Sequence, residues 1–387
     1  MAQRVYMPVF GSGLGHASRM LLIARSLEKD GIEVKFSSSF EAVDYLKNSG
    51  FRCNSVPLVD IKWDEKGEVS ILDTLMEALP ALKNFTQQLT LEIDHMRSFS
   101  PNLVVSDSRL SAVLAAKLLE LPSLIILNQL RILLPGKEKR PKSFLEDASA
   151  ELLGKLWSFC ENIILPDLPP PYTISERNLL GVRSTKKKVR YVGFMVPRPT
   201  IPEGVLEKIT KELNIDKGKP TVFAQISGPA MTKKGVLEAL LGTASRYGEK
   251  YNLILSEGSP GGNTEPIRFR GGWYYEWCPV KDELFALADV IITRGGHSTI
   301  AQSILFGKPM ILIPIINHSE QTSNARKVSK LGIGVSMDQR HLTPENLEES
   351  VSLMVEDGYK KKAERLRSIA RNFDGVENTV KIAKDYL

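Results

Sequence analysis

Short β-branched apolar runs alternate with amphipathic helical stretches along the first half of the chain. Residues 4–10, 33–36, 102–106, 123–127 and 162–165 read as strands. Between them, 16–29, 41–48 and 111–119 carry helical periodicity, and 71–97 is a long helical stretch with Pro80 as its candidate break. Such alternation calls for a parallel sheet covered by helices on both faces. The pattern stops at VPRPTIPEG, 196–204, where three prolines stiffen and extend the chain as in a linker. PDLPPP at 166–171 is a second candidate, but the strand-like VRYVGF at 189–194 follows it, so the boundary is placed near 200. Alternation then restarts, with strands at 221–225, 253–255, 289–293 and 310–313 and helices at 234–246, 298–305 and 320–330. Residues 344–387 are mostly helical. The expectation is two α/β domains, 1–199 and 200–387, each a Rossmann-like parallel sheet. Ligands then belong beyond the carboxyl ends of the strands, and two such domains facing each other make a cleft.

Composition narrows this only modestly. The chain has 387 residues, enough for two domains, and its net charge of +6 favours anionic partners without choosing among nucleotides, phospholipids and nucleic acid. Cys53, Cys160 and Cys278 are odd in number and widely spaced, which argues against a disulfide framework or a zinc site and suits a reducing, cytoplasmic compartment. The N-terminus reads as a first strand rather than a secretion signal, and no run approaches 18 uncharged apolar residues. Any meeting with a membrane is expected at its surface.

Two glycine loops carry the candidate chemistry. The first, GSGLGH, places Gly11, Gly13, Gly15 and His16 between the first strand and first helix. It is not a dinucleotide fingerprint. Its spacing is G-x-G-x-G, and the second strand ends in Ser37, Ser38 and Ser39 with no acid for a ribose. His16 at the first turn of a helix suits a general base near neutral pH, against the alternative of a histidine packed into the loop. Asp107, after the strand at 102–106, could orient that histidine or simply cap a helix; the residues leave both open.

The second loop lies in TRGGHSTIAQ, 293–302. Gly295, Gly296, Ser298 and Thr299 can present amides and hydroxyls to a phosphate at a helix N-terminus. Arg294 and His297 add donors, Arg294 with a permanent charge. Gln302, one turn on from Ser298, can reach a sugar hydroxyl. Gln321 and Asn324 share a helix face. Ser227 and Gly228 form another strand-to-glycine edge, and Trp277 offers a flat face for a nucleobase. Taken singly, each has a structural explanation; the ordered set is harder to dismiss.

This set resembles the GT-B glycosyltransferases, especially the family 28 group that includes the bacterial N-acetylglucosaminyltransferase making lipid II. Similarity is greatest to its archaeal teichoic-acid-biosynthesis-like branch. The family's order is a glycine-rich Ser/Thr loop, an acid or amide on the next helix, G-x-P, an apolar strand and Q-x-x-N-A. It is matched by Arg294 to Thr299, Gln302, Gly307-Lys308-Pro309 and Gln321 to Ala325; plant secondary-metabolite glycosyltransferases share a looser version, including the W-x-P at Trp277-Cys278-Pro279. One departure is plain: the family puts glutamate on the ribose where this chain has Gln302, an uncharged amide.

The resemblance implies a GT-B fold with C-terminal helices that can cross back to the first domain. It implies an inverting hexosyltransferase that moves a sugar from a nucleotide-diphosphate sugar, UDP-linked by preference, to an acceptor hydroxyl on a lipid-linked or cell-envelope glycan. The donor would bind the second domain and the acceptor the first. His16 would deprotonate the acceptor, and Arg294 with the loop amides would stabilise the departing diphosphate. No D-x-D motif occurs, which is consistent with catalysis without metal or cofactor.

Lys137, Lys139, Arg140 and Lys142 beside Ile132, Leu133 and Leu134 suit either peripheral contact with an anionic membrane or a solvated loop. That run and Lys186–Lys188 lack interleaved aromatics, so nucleic acid is not an expected partner. The rivals are a nucleotide-sugar epimerase or hydrolase of the same fold, and a non-catalytic nucleotide-sugar or lipid-binding protein.

Overall fold

The computed structural model describes residues 3–12, 14–59, 71–131, 140–179, 181–198, 200–228, 230–259 and 261–387. The chain divides into two compact units: Met1–Thr173, Arg177–Val196 and Phe373–Leu387 in the first, and Ile174–Glu176 and Pro197–Asn372 in the second.

The first unit is built on seven strands: β1 (Arg4–Pro8), β2 (Glu33–Ser38), β3 (Arg52–Ser55), β4 (Leu103–Asp107), β5 (Ser123–Ile126), β6 (Asn162–Leu165) and β7 (Val189–Tyr191). All pair in parallel in the order β3-β2-β1-β4-β5-β6-β7. Strands β4, β5 and β6 are buried along their whole length, which explains why they read as continuous apolar runs rather than alternating ones. Helices α1 (Leu14–Lys29), α2 (Glu41–Asn48), α3 (Ile71–Phe99), α4 (Leu110–Leu118), α5 (Arg140–Trp157) and the short α6 (Glu176–Leu179) accompany them. α3 runs unbroken through Pro80. Pro80 is exposed, so the carbonyl that loses its partner can turn to water.

The second unit repeats the plan. After α7 (Val205–Glu212) come β8 (Thr221–Gln225), α8 (Ala230–Tyr247), β9 (Asn252–Ser256), the hairpin β10 (Ile267–Phe269) and β11 (Gly272–Tyr275), α9 (Lys281–Leu287), β12 (Val290–Thr293), α10 (His297–Phe306), β13 (Met310–Leu312), α11 (Ser319–Leu331) and β14 (Gly334–Ser336). The order is β10-β11-β9-β8-β12-β13-β14, parallel except for the β10–β11 hairpin at the edge. α12 (Pro344–Val355) and α13 (Asp357–Ala370) complete it. Among the described residues no helix is long and apolar enough to cross a membrane.

The expected domain 200–387 differs from the second unit at its end. α14 (Gly375–Lys384) belongs to the first unit, where it packs on α1. Val380 and Ala383 enter the same core as Val5, Met20 and Ile23, so burial of one apolar face carries the chain back. Asn378 secures it by donating to the Val192 carbonyl (2.8 Å). Truncation after Asn372 is therefore expected to unfold the first unit and spare the second. Limited proteolysis of the truncated chain should leave a resistant core beginning near Pro197; resistance of both halves would contradict the assignment.

Candidate functional site

In each sheet the strand order reverses beside its central strand, between β1 and β4 in the first unit and between β8 and β12 in the second. Helices leave on opposite faces there and a crevice opens at the carboxyl ends. Both glycine loops fall at these positions.

In the first unit, Gly11 follows β1 so closely beside Ser39 that a Cβ would lie 2.5 Å from the Ser39 carbonyl oxygen. Only glycine fits that approach. Gly13 lies outside the described residues, and Gly15 is exposed. His16 is the third residue of α1, and its Nδ1 is 2.7 Å from Oδ1 of Asp107, the last residue of β4. Arg19 Nη2 also lies 3.0 Å from this nitrogen, but it donates to Asp107 at the shorter 2.6 Å; with the carboxylate, which only accepts, as its nearer partner, Nδ1 carries the hydrogen and the neutral ring keeps its lone pair on Nε2. The ring, 25% exposed, stacks edge-on against Phe10.

Asp107 is fully buried. Burial alone would raise its carboxyl, but Arg19 and His16 outweigh that and hold it well below the usual carboxylate range. Arg19 embraces it through Nε and Nη2 (2.6 Å for the latter), while its Nη1 donates to Asn128 (2.6 Å). Ser108 adds a fourth donor at 3.0 Å. With its folded value depressed, the carboxylate contributes stability above the ordinary carboxylate range, and loses it only as pH falls through that depressed value. Arg19 has no place in the sequence reading above. Its position three residues after His16, on the same helix face, is the signal that could have found it.

A cavity of about 300 Å³ adjoins this dyad. Phe10, Phe85, Leu127, Leu130 and Trp157 line it, and Ser108, whose hydroxyl holds Asp107, forms part of its wall.

In the second unit, β12 ends at Thr293 and Arg294 follows, 1% exposed. Its Nη2 donates to Gln339 (2.8 Å), whose own amide reaches the Thr232 carbonyl at the start of α8 (3.4 Å). Nε and Nη1 are buried with no partner among the described residues. Desolvation alone pulls this guanidinium down to about 10. Gly295 takes φ +86°, and a Cβ there would sit 3.1 Å from the Gln321 carbonyl oxygen. Gly296 caps α10 with no side-chain hydrogen bond, leaving first-turn amides for an anion. Ser298 is exposed and Thr299 half-buried, while His297 is buried at the first helical position. Ser227 and Gly228 lie exposed just beyond β8, and Trp277, 39% exposed, just beyond β11.

Three expected nucleoside or sugar contacts take up structural partners. Asn324 is fully buried and donates to the Gly295 carbonyl (3.2 Å), so it clasps the loop. Gln321 accepts from the Ile315 amide (2.9 Å). Gln302 is 4% exposed and donates to Asp282. Lys233, unremarked in the sequence, is 4% exposed in the first turn of α8. It is loosely held, 3.5 Å from Glu257 and 3.3 Å from the Ser259 hydroxyl. The basic residues Lys137 and Lys139 lie outside the described residues. Among those described, no group of three or more His, Cys, Asp or Glu is placed to hold a metal ion.

Comparison with known proteins agrees with this geometry. Residues 237–380 match the glycosyltransferase family 28 C-terminal domain, and residues 3–155 match glycosyl transferase family 1. A protein of Methanosarcina acetivorans described as an uncharacterized glycosyltransferase is 28% identical over 97% of this chain and 96% of its own length. The UDP-N-acetylglucosamine–N-acetylmuramyl-(pentapeptide) pyrophosphoryl-undecaprenol N-acetylglucosamine transferase of Geobacillus kaustophilus is 30% identical over 46% of this chain and 51% of its own. Among solved structures, the Streptomyces sp. SF2575 glycosyltransferase SsfS6 complexed with thymidine diphosphate superposes with a TM-score of 0.65 at 15% identity, covering 99% of both chains. This chain is a glycosyltransferase of the GT-B fold.

For a nucleotide-sugar glycosyltransferase, the seating of Arg294 makes physical sense. A buried cation without a carboxylate costs several kcal/mol of folding free energy, of order what a bound diphosphate can offset. Folding penalises the charged form, so the cost is fully present at neutral pH and eases only as pH rises past about 10. Arg294→Met is therefore expected to raise the melting temperature of the unliganded enzyme, by about 2–4 °C for each kcal/mol relieved. It should also abolish the stabilisation that a nucleoside diphosphate confers on the wild type. A less stable unliganded variant that still responds to nucleotide would reject this reading.

Proposed function

We propose that the enzyme is an inverting glycosyltransferase that works without a metal, moving a hexose from a UDP-sugar to a hydroxyl on an apolar or lipid-linked acceptor. The observation that carries the donor half is the buried guanidinium of Arg294, with two unbonded nitrogens at the uncapped start of α10. An anion is the partner such a seat lacks, and a diphosphate fits both the charge and the helix amides. UDP is favoured because the Geobacillus relative, similar over 46% of this chain, carries a UDP-sugar in its name.

The acceptor half rests on the dyad and the cavity beside it. The acceptor's hydroxyl donates to His16 Nε2, and its apolar body fills the space lined by Phe85, Leu127, Leu130 and Trp157. As the oxygen attacks C1 of the sugar, the C1–O bond to the diphosphate breaks on the opposite side, so the anomeric centre inverts. The acceptor proton passes to Nε2, Asp107 stabilises the imidazolium, and the proton leaves to solvent after product release. Arg19 holds Asp107 in place. Negative charge grows on the departing β-phosphate, where Arg294 and the amides of Ser298 and Thr299 receive it. The lipid-linked acceptor named for the same relative would bring the enzyme to a membrane surface on its cytoplasmic side.

His16→Ala should lower kcat by about 10²–10⁴-fold while leaving the dissociation constant for UDP unchanged. Isothermal titration together with transfer assays separates these. Asp107→Asn should lower kcat less, but should also cost about 3–5 kcal/mol of stability by stranding buried Arg19. Unaltered turnover in His16→Ala would refute the general-base role.

A further inference from the structure

Arg109 stands where β4 gives way to α4, as the residue before the helix's first turn. It is 3% exposed. Its Nη2 donates to the fully buried carboxylate of Glu92, and its Nη1 to the carbonyl and hydroxyl of Ser37 (3.2 Å each). Nε is buried with no partner among the described residues, and Arg109 borders the cavity beside the His16–Asp107 dyad. α4 begins at the same wall without a side-chain cap, so amides of its first turn are unclaimed as well. An unbonded guanidinium N–H and an uncapped helix start, side by side on one cavity wall, call for an anion.

The other walls agree. Among the described residues that line the cavity none is acidic, and Phe10, Phe85 and Trp157 supply aromatic surface. Arg131 lines it too, but Asp147 meets its charge (2.6 Å). Glu92 likewise neutralises Arg109. What stays uncompensated is the partial charge of a helix start, about half a unit. That suits a singly charged carboxylate better than a phosphate monoester, which carries about −1.5 to −2. A volume of about 300 Å³ is at the small end of ligand pockets, so the occupant is compact.

Resting on the acceptor reading of this cavity, we infer that the acceptor is a compact apolar hydroxy acid, selected for its charge by Arg109. The carboxylate accepts from Arg109 Nε and from the amides that open α4. The apolar body lies against the aromatic walls, and the hydroxyl donates to His16 Nε2. Asp107, Ser108 and Arg109 are consecutive, so the residue that orients the base and the residue that holds the acid share one turn of chain.

The test is isothermal titration in excess UDP, which occupies the Arg294 seat. The probes are para-hydroxyphenylpropionate and ω-hydroxydecanoate, their methyl esters, and para-hydroxyphenyl phosphate. The esters keep body and hydroxyl and lose only the charge. At least one acid should bind about tenfold or more tightly than its ester, as befits hydrogen bonds to a charged group, and more tightly than the phosphate. Arg109→Met alone strands the buried Glu92 and can fail to fold. Arg109→Met combined with Glu92→Met removes the pair together; it should lose most of the preference for the acid and bind UDP as before.

Equal binding of acids and esters by the wild type, tighter binding of the phosphate, or an undiminished acid preference in the double variant would overturn the inference and leave the cavity standing as an acceptor site. Failure of every acid and ester to bind would overturn the acceptor reading of the cavity and this inference together.

Discussion

A guanidinium sealed from water with two nitrogens unbonded is the constraint around which the second unit is arranged. Arg294 cannot leave that position without moving the end of β12, and its neighbours are built to keep the loop behind it in shape. Gly295 adopts a backbone angle that L side chains rarely tolerate and passes close to α11. Asn324 clasps its carbonyl, and Gln339 takes the one bonded nitrogen and ties it to the first turn of α8. These contacts use neutral partners throughout. No carboxylate is spent on Arg294, so its charge stays available to a ligand at a standing cost to the unliganded fold.

The first unit solves the opposite problem at the same topological position. There the buried charge is Asp107, and the protein satisfies it completely, with Arg19, His16 and Ser108 all on one carboxylate. Asp107 holds His16 by Nδ1, leaving Nε2 to meet an acceptor. A base must be oriented before substrate arrives, so its supports are finished; an anion seat must be incomplete until substrate arrives, so its bonds are left open. The division of chemistry proposed for the units follows from that difference: proton handling in the first, charge handling in the second.

Much of this was legible along the chain because it is local. Strand, glycine loop and helix follow one another within a few residues at 8–16 and 290–300, so both loops could be placed from sequence, as could His16 and Arg294. The His16–Asp107 contact was readable as one of two options, since Asp107 and the loop leading into His16 both lie at the carboxyl ends of strands. Partners supplied by distant chain were not readable. Asp282 reaches Gln302 across 20 residues, and Gln339 reaches Arg294 across 45. For Asn324, shared helix periodicity says which face it lies on, not that this face is buried against Gly295. The edge hairpin β10–β11 and the return of α14 to the first unit are likewise outcomes of packing rather than of local pattern. Pro80 misleads for a simpler reason, since an exposed kink position tolerates what a buried one would not.

The central claim is that the second unit seats a nucleoside diphosphate against Arg294 and the start of α10. A crystal structure of the enzyme with UDP tests it most directly. The account predicts the β-phosphate within hydrogen-bonding distance of the Arg294 guanidinium and of the backbone amides of Ser298 and Thr299, with Nε or Nη1 newly bonded. A diphosphate bound elsewhere, with Arg294 still joined only to Gln339, would contradict it.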